Sequence, residues 1–184
     1  DILLLGPRRI GKTSIARRVM AAMAAQKQWH AIEINVAACT DERGFLEKLE
    51  AKLREQLDSA SGKIWESLKA PFAALSARIK SVKIPVPGAG SLGLDLGESS
   101  SEDWIKVGNE ALTLIAKLES PWLIYVDELP IMLFNIIRND KTQGVQRVRR
   151  FLDWFRNDVR NLPDSSRVRW LVSGSVGLDT LVQQ

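Results

Sequence analysis

Cysteine is almost missing from the 184 residues, with Cys39 as its one representative. A lone thiol excludes an intrachain disulfide and fits a reducing compartment, so the cytoplasm is the expected location. Without a paired histidine or metal-ligand spacing, Cys39 reads as structural. Histidine is equally scarce: His30 stands alone at the start of an apolar segment and reads as a surface or interface residue rather than a catalytic one. No apolar run approaches the roughly 20 residues that a membrane-spanning helix needs. Neither charge sign dominates, since 26 Lys plus Arg face 22 Asp plus Glu for a net charge of +4. Internal repeats and low-complexity tails are also lacking. The first residues, Asp1-Ile2-Leu3-Leu4-Leu5, have no initiator Met, charged leader or cleavage site, and so read as neither a natural start nor a signal peptide. What is present is a 45% hydrophobic composition, enough for one globular domain with a real core. Disordered and fibrous classes are thereby excluded.

The apolar residues change period along the chain. Ile2 to Leu5 is a wholly apolar run ending at Gly6-Pro7, the pattern of a buried strand. Lys12 to Gln28 carries Ile15, Val19, Met20, Met23 and Ala24 at helical spacing, and Trp29 to Val36 alternates again. A strand, helix, strand unit of this kind predicts a parallel sheet with a right-handed crossover. Two helical segments are expected between Asp41 and Ser81, separated near 59–62, with Pro71 kinking or restarting the second. Ser81 to Gly97 reads as a β-hairpin inserted into the helical crossover, with a simple loop as the alternative. Helical periodicity returns from Glu102 to Leu118, with Ser101 as a cap. Trp122 to Val126 is the clearest strand, Val145 to Leu162 an amphipathic helix, and Val168 to Val172 a further apolar strand.

Between the first strand and first helix lies Gly6-Pro7-Arg8-Arg9-Ile10-Gly11-Lys12-Thr13, a glycine, four variable residues, then Gly-Lys-Thr. This is the phosphate-loop pattern. Glycines let the backbone wrap a phosphate, successive amides and a helix N-terminus supply positive dipoles, Lys12 adds a charge, and the Thr13 hydroxyl can ligate Mg²⁺. Ser14 continues the loop into the helix. A second signal is the apolar strand ending in Asp127-Glu128, because ligands of open parallel sheets collect at the C-terminal ends of strands. Asp127 would hold Mg²⁺ directly or through water, and Glu128 would polarise the attacking water as general base. Alone, such a pair is also a common helix cap or solvated turn; the phosphate loop upstream gives it meaning. Ser173 comes after the last strand and could reach the γ-phosphate or the lytic water, or else cap the next helix together with Ser175. Gly174 would permit close backbone approach.

Other residues are read more plainly. The six tryptophans are spread through the chain and suit packing better than base stacking. Arg147, Arg149 and Arg150, with Arg156 and Arg160 beyond, read first as a solvated helix face. A partner or nucleic-acid surface, or an arginine acting on a neighbour's nucleotide, are the alternatives.

The segments Leu4 to Ser14, Ile124-Tyr125-Val126-Asp127-Glu128-Leu129-Pro130 and Leu171 to Ser175 together resemble the archaeal-type P-loop ATPases of archaea and bacteria, in the AAA+ and STAND branch of the additional-strand, catalytic-glutamate class. The Gly-Pro-Arg-Arg opening is more telling than the generic loop. The resemblance implies a three-layer α/β/α core, with Gly6 to Thr13 as Walker A, Asp127 and Glu128 as Walker B, and Ser173 at the sensor position, where many relatives carry Asn. It implies a sheet with the Walker A strand in the middle, flanked by the Walker B and sensor strands. It also implies a fifth strand, a helical lid and a winged-helix domain beyond the sensor. The lid and winged-helix domain cannot fit in the nine residues after Ser175, so the chain is expected to be an ATPase core truncated at both ends. The catalytic set is then Glu128, Lys12 and Ser173, the nucleotide site Gly6 to Ser14, and the metal ligands Thr13 and Asp127. ATP and Mg²⁺ are the implied cofactors, adenine being favoured by the resemblance since no guanine-reading Asn-Lys-x-Asp run is visible.

Three activities are compatible with these residues: Mg-dependent ATP hydrolysis that drives or switches a larger protein, a nucleotide-gated DNA- or protein-binding module with negligible turnover, and small-molecule kinase chemistry. The first is favoured, because a carboxylate pair after the strand suits water activation better than acceptor phosphorylation. ATP and ADP are the expected ligands. A protein partner or self-association is compatible, as is DNA through a missing C-terminal domain.

Overall fold

Among the described residues the apolar runs fold into four strands, β1 (Ile2–Leu5), β2 (His30–Asn35), β3 (Trp122–Asp127) and β4 (Val168–Gly174). Between them lie, among the described residues, the α-helices α1 (Lys12–Ala25), α2 (Glu42–Asp58), α3 (Lys63–Ser81), α4 (Glu102–Ala116), α5 (Leu129–Asn139) and α6 (Gly144–Trp154). This computed structural model describes residues 1–7, 9–26, 29–58, 63–84, 102–118, 120–159, 162 and 167–175. All strand pairs are parallel, in the order β1-β4-β3-β2. Among the described strands β1, which precedes the glycine loop, is therefore not in the central position expected of it. Among the described residues it pairs with β4 alone, and β4 separates it from β3.

That order corrects a second expectation. A wholly apolar run predicts a buried strand, yet Ile2, Leu3 and Leu5 are 60%, 51% and 44% exposed, and only Leu4 is half-buried. The cause is position: β1 is an edge of the sheet, and among the described residues only β4 pairs with it. Ile15 and Val19 on the neighbouring flank of α1 are exposed as well.

Alternation along β2, β3 and β4 divides the sheet side chains between two clusters. Leu123, Tyr125 and Leu171 pack with Ala16, Met20 and Met23 of α1. Ile32, Ile34, Ile124, Val126, Trp170 and Val172 join the larger cluster built with α2 to α6. Helices thus cover both faces of a mixed α/β domain, thinly on one side and thickly on the other. Among the described residues, no helix is long and apolar enough to cross a membrane.

The thick side is organised around aromatic rings. Phe45, Trp104, Phe151, Trp154 and Phe155 meet at centroid distances such as 5.2 Å for Phe45–Phe151 and 5.4 Å for Trp104–Trp154. Trp104, Trp122, Trp154 and Trp170 are all buried, which bears out packing as their role. The helix expected over Val145 to Leu162 is an α-helix only to Trp154, continued by a π-helical turn, Phe155–Val159. The wider turn buries Phe155 and Val159 and sets Phe155 edge-on to Trp170 at 5.8 Å. Helix α3 runs without interruption through Pro71, which faces solvent while Leu68, Phe72, Leu75 and Ile79 anchor the helix in the core. Most of the expected hairpin, from 85 onward, lies outside the described residues, as does the Ser101 cap. Its first residues, 82–84, form no strand; Val82 is buried and Ile84 half-buried against the core.

Arg147 is the main correction to the basic face. Its side chain is buried, donating to Glu42 at the start of α2 and to Asp140 Oδ2 at 3.3 Å. Burial pulls the guanidinium pKa down, but hydrogen bonds and charge from Glu42 and Asp140 outweigh it and raise the value. Asp140 also accepts from the Gln143 amide at 2.9 Å and the Thr142 hydroxyl at 2.9 Å, tying the turn before α6 to this ion pair. The same turn packs Gly144 so tightly that a Cβ would lie 2.7 Å from Ile137 Cα and 2.9 Å from the Ile136 carbonyl. Both neighbours are backbone and cannot swing aside. Gly144→Ala is expected to lower stability by about 1–3 kcal/mol, read from the urea midpoint at unchanged slope.

Candidate functional site

The loop after β1 is set by local conformation. Arg9 and Gly11 adopt left-handed backbone, with φ of 66° and 90°. Nothing lies within 4 Å of a Cβ at Gly11, so glycine is required there for its dihedral rather than for space. Helix α1 then begins at Lys12 with no side-chain cap and no acidic residue in its first turn. The positive end of the helix dipole is therefore not offset by a carboxylate of its own first turn. Lys12 Nζ donates to the Gly6 and Pro7 carbonyls, each at 2.7 Å, which curls the loop around the ammonium.

Strand β3 brings the carboxylates to this loop. Arg9, Gly11, Lys12, Thr13, Ser14 and Glu128 line one open cleft of about 490 Å³. Pro7 and Ile10 are exposed or half-exposed beside it, and Gly6 is half-buried; Arg8 lies outside the described residues. Glu128 has φ 59° and ψ 38°, a left-handed conformation that costs a non-glycine residue about 1–2 kcal/mol. Its Oε2 accepts from the Ser175 hydroxyl at 2.8 Å and the Ser175 amide at 3.2 Å. Ser175 therefore anchors one oxygen of the carboxylate at the rim of the cleft.

Asp127 sits just below, 5% exposed. Its two oxygens are held differently. Oδ1 accepts from Ser173 Oγ at 2.5 Å and from the Tyr125 hydroxyl at 2.7 Å, while those two hydroxyls are 2.9 Å apart. Among the described residues Oδ2 has only long hydrogen-bond contacts, 3.5 Å each, to Thr13 Oγ1 and Asn35 Nδ2. Burial, with the hydrogen bond to Asp127 adding and that to Ser173 opposing, pushes the Tyr125 phenol up to about 12. Tyr125 accordingly remains a protonated donor at neutral pH.

The Thr13 hydroxyl and Asp127 Oδ2 are neighbouring hard oxygens, a donor pair that suits Mg²⁺ completed by water and phosphate. Among the described residues, no group of three or more His, Cys, Asp and Glu forms a metal cluster. The protein would supply two oxygens of an octahedral shell, which fits an ion that keeps several non-protein ligands.

Of the residues expected from the sequence, Lys12, Thr13, Ser14, Asp127 and Glu128 converge on one place. Ser173 converges with them but faces elsewhere. It is fully buried against Asp127 and Tyr125 and does not line the cleft, because β4 lies directly beside β3 and turns Ser173 toward Asp127. Three participants are not evident from the sequence: Tyr125, Asn35 and Ser175 as a partner of Glu128. A signal for Tyr125 does exist, since residues two apart on a strand share a face. Asn35 and Ser175 require the fold, in which Asn35 pairs with Asp127.

Two other residues singled out in the sequence lie outside the site. His30 is half-buried and stacks on Trp122 at 4.8 Å, with burial lowering its pKa. Cys39 is buried, and burial pushes its thiol up to about 11, with Lys48 opposing and Asp41 and Glu47 adding. An alkylating reagent at pH 8 is expected to modify Cys39 slowly in the folded protein and rapidly in urea; equal rates would contradict this burial.

No protein-family model matches the chain, and no curated protein matches it. Function is consequently inferred from the chemistry of the site itself.

Proposed function

We propose that the protein binds ATP with Mg²⁺ and hydrolyses it, as an AAA+- or STAND-like P-loop core that drives or switches a larger protein. The observation carrying this reading is the convergence across 114 residues of sequence: Thr13, in the first turn of the helix after the glycine loop, meets Asp127 at the end of β3, with Glu128 on the same cleft. A phosphate chain fits there for simple reasons. The uncapped α1 amides, Arg9 and Lys12 supply positive potential, and Lys12 can exchange its two carbonyl contacts for phosphate oxygens. Thr13 and Asp127 would hold Mg²⁺ beside the phosphates, where the ion would supply charge neutralisation.

Glu128 supplies the base. One of its oxygens is fixed by Ser175 and its side chain borders the cleft, so the carboxylate can orient a water and accept its proton. Phosphate release from Mg-ATP tests the reading. Release that requires Mg²⁺ supports it, and tight Mg-ATP binding with no release favours the nucleotide-gated binding module instead. No ATP binding would overturn both.

A further inference from the structure

We infer that Tyr125 and Ser173 are positioning residues that clamp Asp127 Oδ1 and so present Oδ2, beside Thr13, as the metal-facing oxygen. This inference rests on the proposed binding of Mg-ATP and concerns how the site selects its metal geometry.

The asymmetry around Asp127 is the starting point. Two hydroxyls crowd one oxygen at 2.5 and 2.7 Å, and the other oxygen has nothing closer than 3.5 Å among its hydrogen-bond partners in the described residues. The terminal torsion of an aspartate is broad and roughly two-fold, so an unrestrained carboxylate could rotate or exchange its oxygens. Two short bonds to one oxygen remove that freedom. With Asp127 ionised, three oxygens share two hydroxyl protons, and the arrangement that best satisfies the charge directs both protons to Oδ1. The lone pairs of Oδ2 are left toward Thr13.

The identity of residue 125 points the same way. All six residues of β3 are buried, and Tyr125 itself is 0% exposed within an otherwise apolar cluster with Leu123, Leu171 and Ala16. Phenylalanine would fill that volume without a polar atom to satisfy. The tyrosine hydroxyl donates to Asp127 Oδ1 at 2.7 Å and lies 2.9 Å from the Ser173 hydroxyl, which serves the same oxygen. Ser173 likewise spends its hydroxyl on the carboxylate instead of the cleft, which turns a position expected to sense phosphate into one that orients a metal ligand.

The test is a magnesium titration of nucleotide affinity, using a fluorescent ATP analogue and the protein as it exists. Tyr125→Phe is expected to raise the Mg²⁺ concentration giving half-maximal tightening by roughly 10- to 100-fold, the usual cost of losing a hydrogen-bond partner behind a metal ligand. Affinity without Mg²⁺ should be unchanged. Ser173→Ala should shift the midpoint in the same direction and serves as the variant if Tyr125→Phe does not fold. An unchanged magnesium midpoint would overturn the inference, and so would equal loss of affinity with and without Mg²⁺, which marks a merely structural residue. If the wild type bound no nucleotide, the proposed function would fail instead, and the two failures remain distinct.

Discussion

Lys12→Ala is expected to weaken Mg-ATP binding by about 100- to 10,000-fold while leaving the fold intact. The magnitude comes from two charge-assisted hydrogen bonds to phosphate, each worth about 1.5–3 kcal/mol, at about 1.4 kcal/mol per tenfold in affinity. The fold should survive because, among the described residues, Lys12 Nζ bonds to carbonyls of its own loop, those of Gly6 and Pro7, and to no core residue. Equilibrium binding, with circular dichroism as the control for folding, checks both halves. A variant that bound Mg-ATP as tightly as wild type would remove Lys12 from the phosphate site.

Glu128→Gln should separate binding from turnover. Glutamine keeps the length of the side chain and an oxygen able to accept from Ser175, so nucleotide affinity should change by no more than about threefold, below the weight of one ordinary hydrogen bond. What it loses is the basic carboxylate. Hydrolysis should fall by about 10²- to 10⁴-fold, the usual contribution of a positioned general base. Single-turnover phosphate release is the appropriate measurement, since it reads the chemical step without product release. Unchanged turnover would show that another group activates the water.

Local, contiguous signals are readable in the sequence, and relationships across the sheet are not. The Gly6 to Thr13 loop and the Asp127-Glu128 pair are each written in a few adjacent residues, so both can be singled out before any geometry. Strands β2, β3 and β4 are evident from their apolar alternation or runs. For β1 the strand is readable but its exposure is not, because an edge is created by pairing order, and among the described residues β1 finds only β4. Helix α5 gives no clear sign: Pro130 stands at its start, and Leu129 to Leu133 is too continuously apolar to show a helical period. Arg147 looks like one cation among several until Glu42, 105 residues away, and Asp140 enclose it. Ser173 illustrates the same limit within the site. Its position on the last strand is plain, but only the placement of β4 beside β3 reveals that its hydroxyl serves Asp127.

Whether ATP and Mg²⁺ bind together at the loop is the most direct test of the proposed function. A titration of the protein with a fluorescent ATP analogue, with and without Mg²⁺ and with unlabelled ATP as competitor, measures this without requiring turnover. The site chemistry predicts saturable binding that ATP displaces and that Mg²⁺ tightens. Binding that ATP cannot displace, or that is indifferent to Mg²⁺ at every concentration, would contradict it.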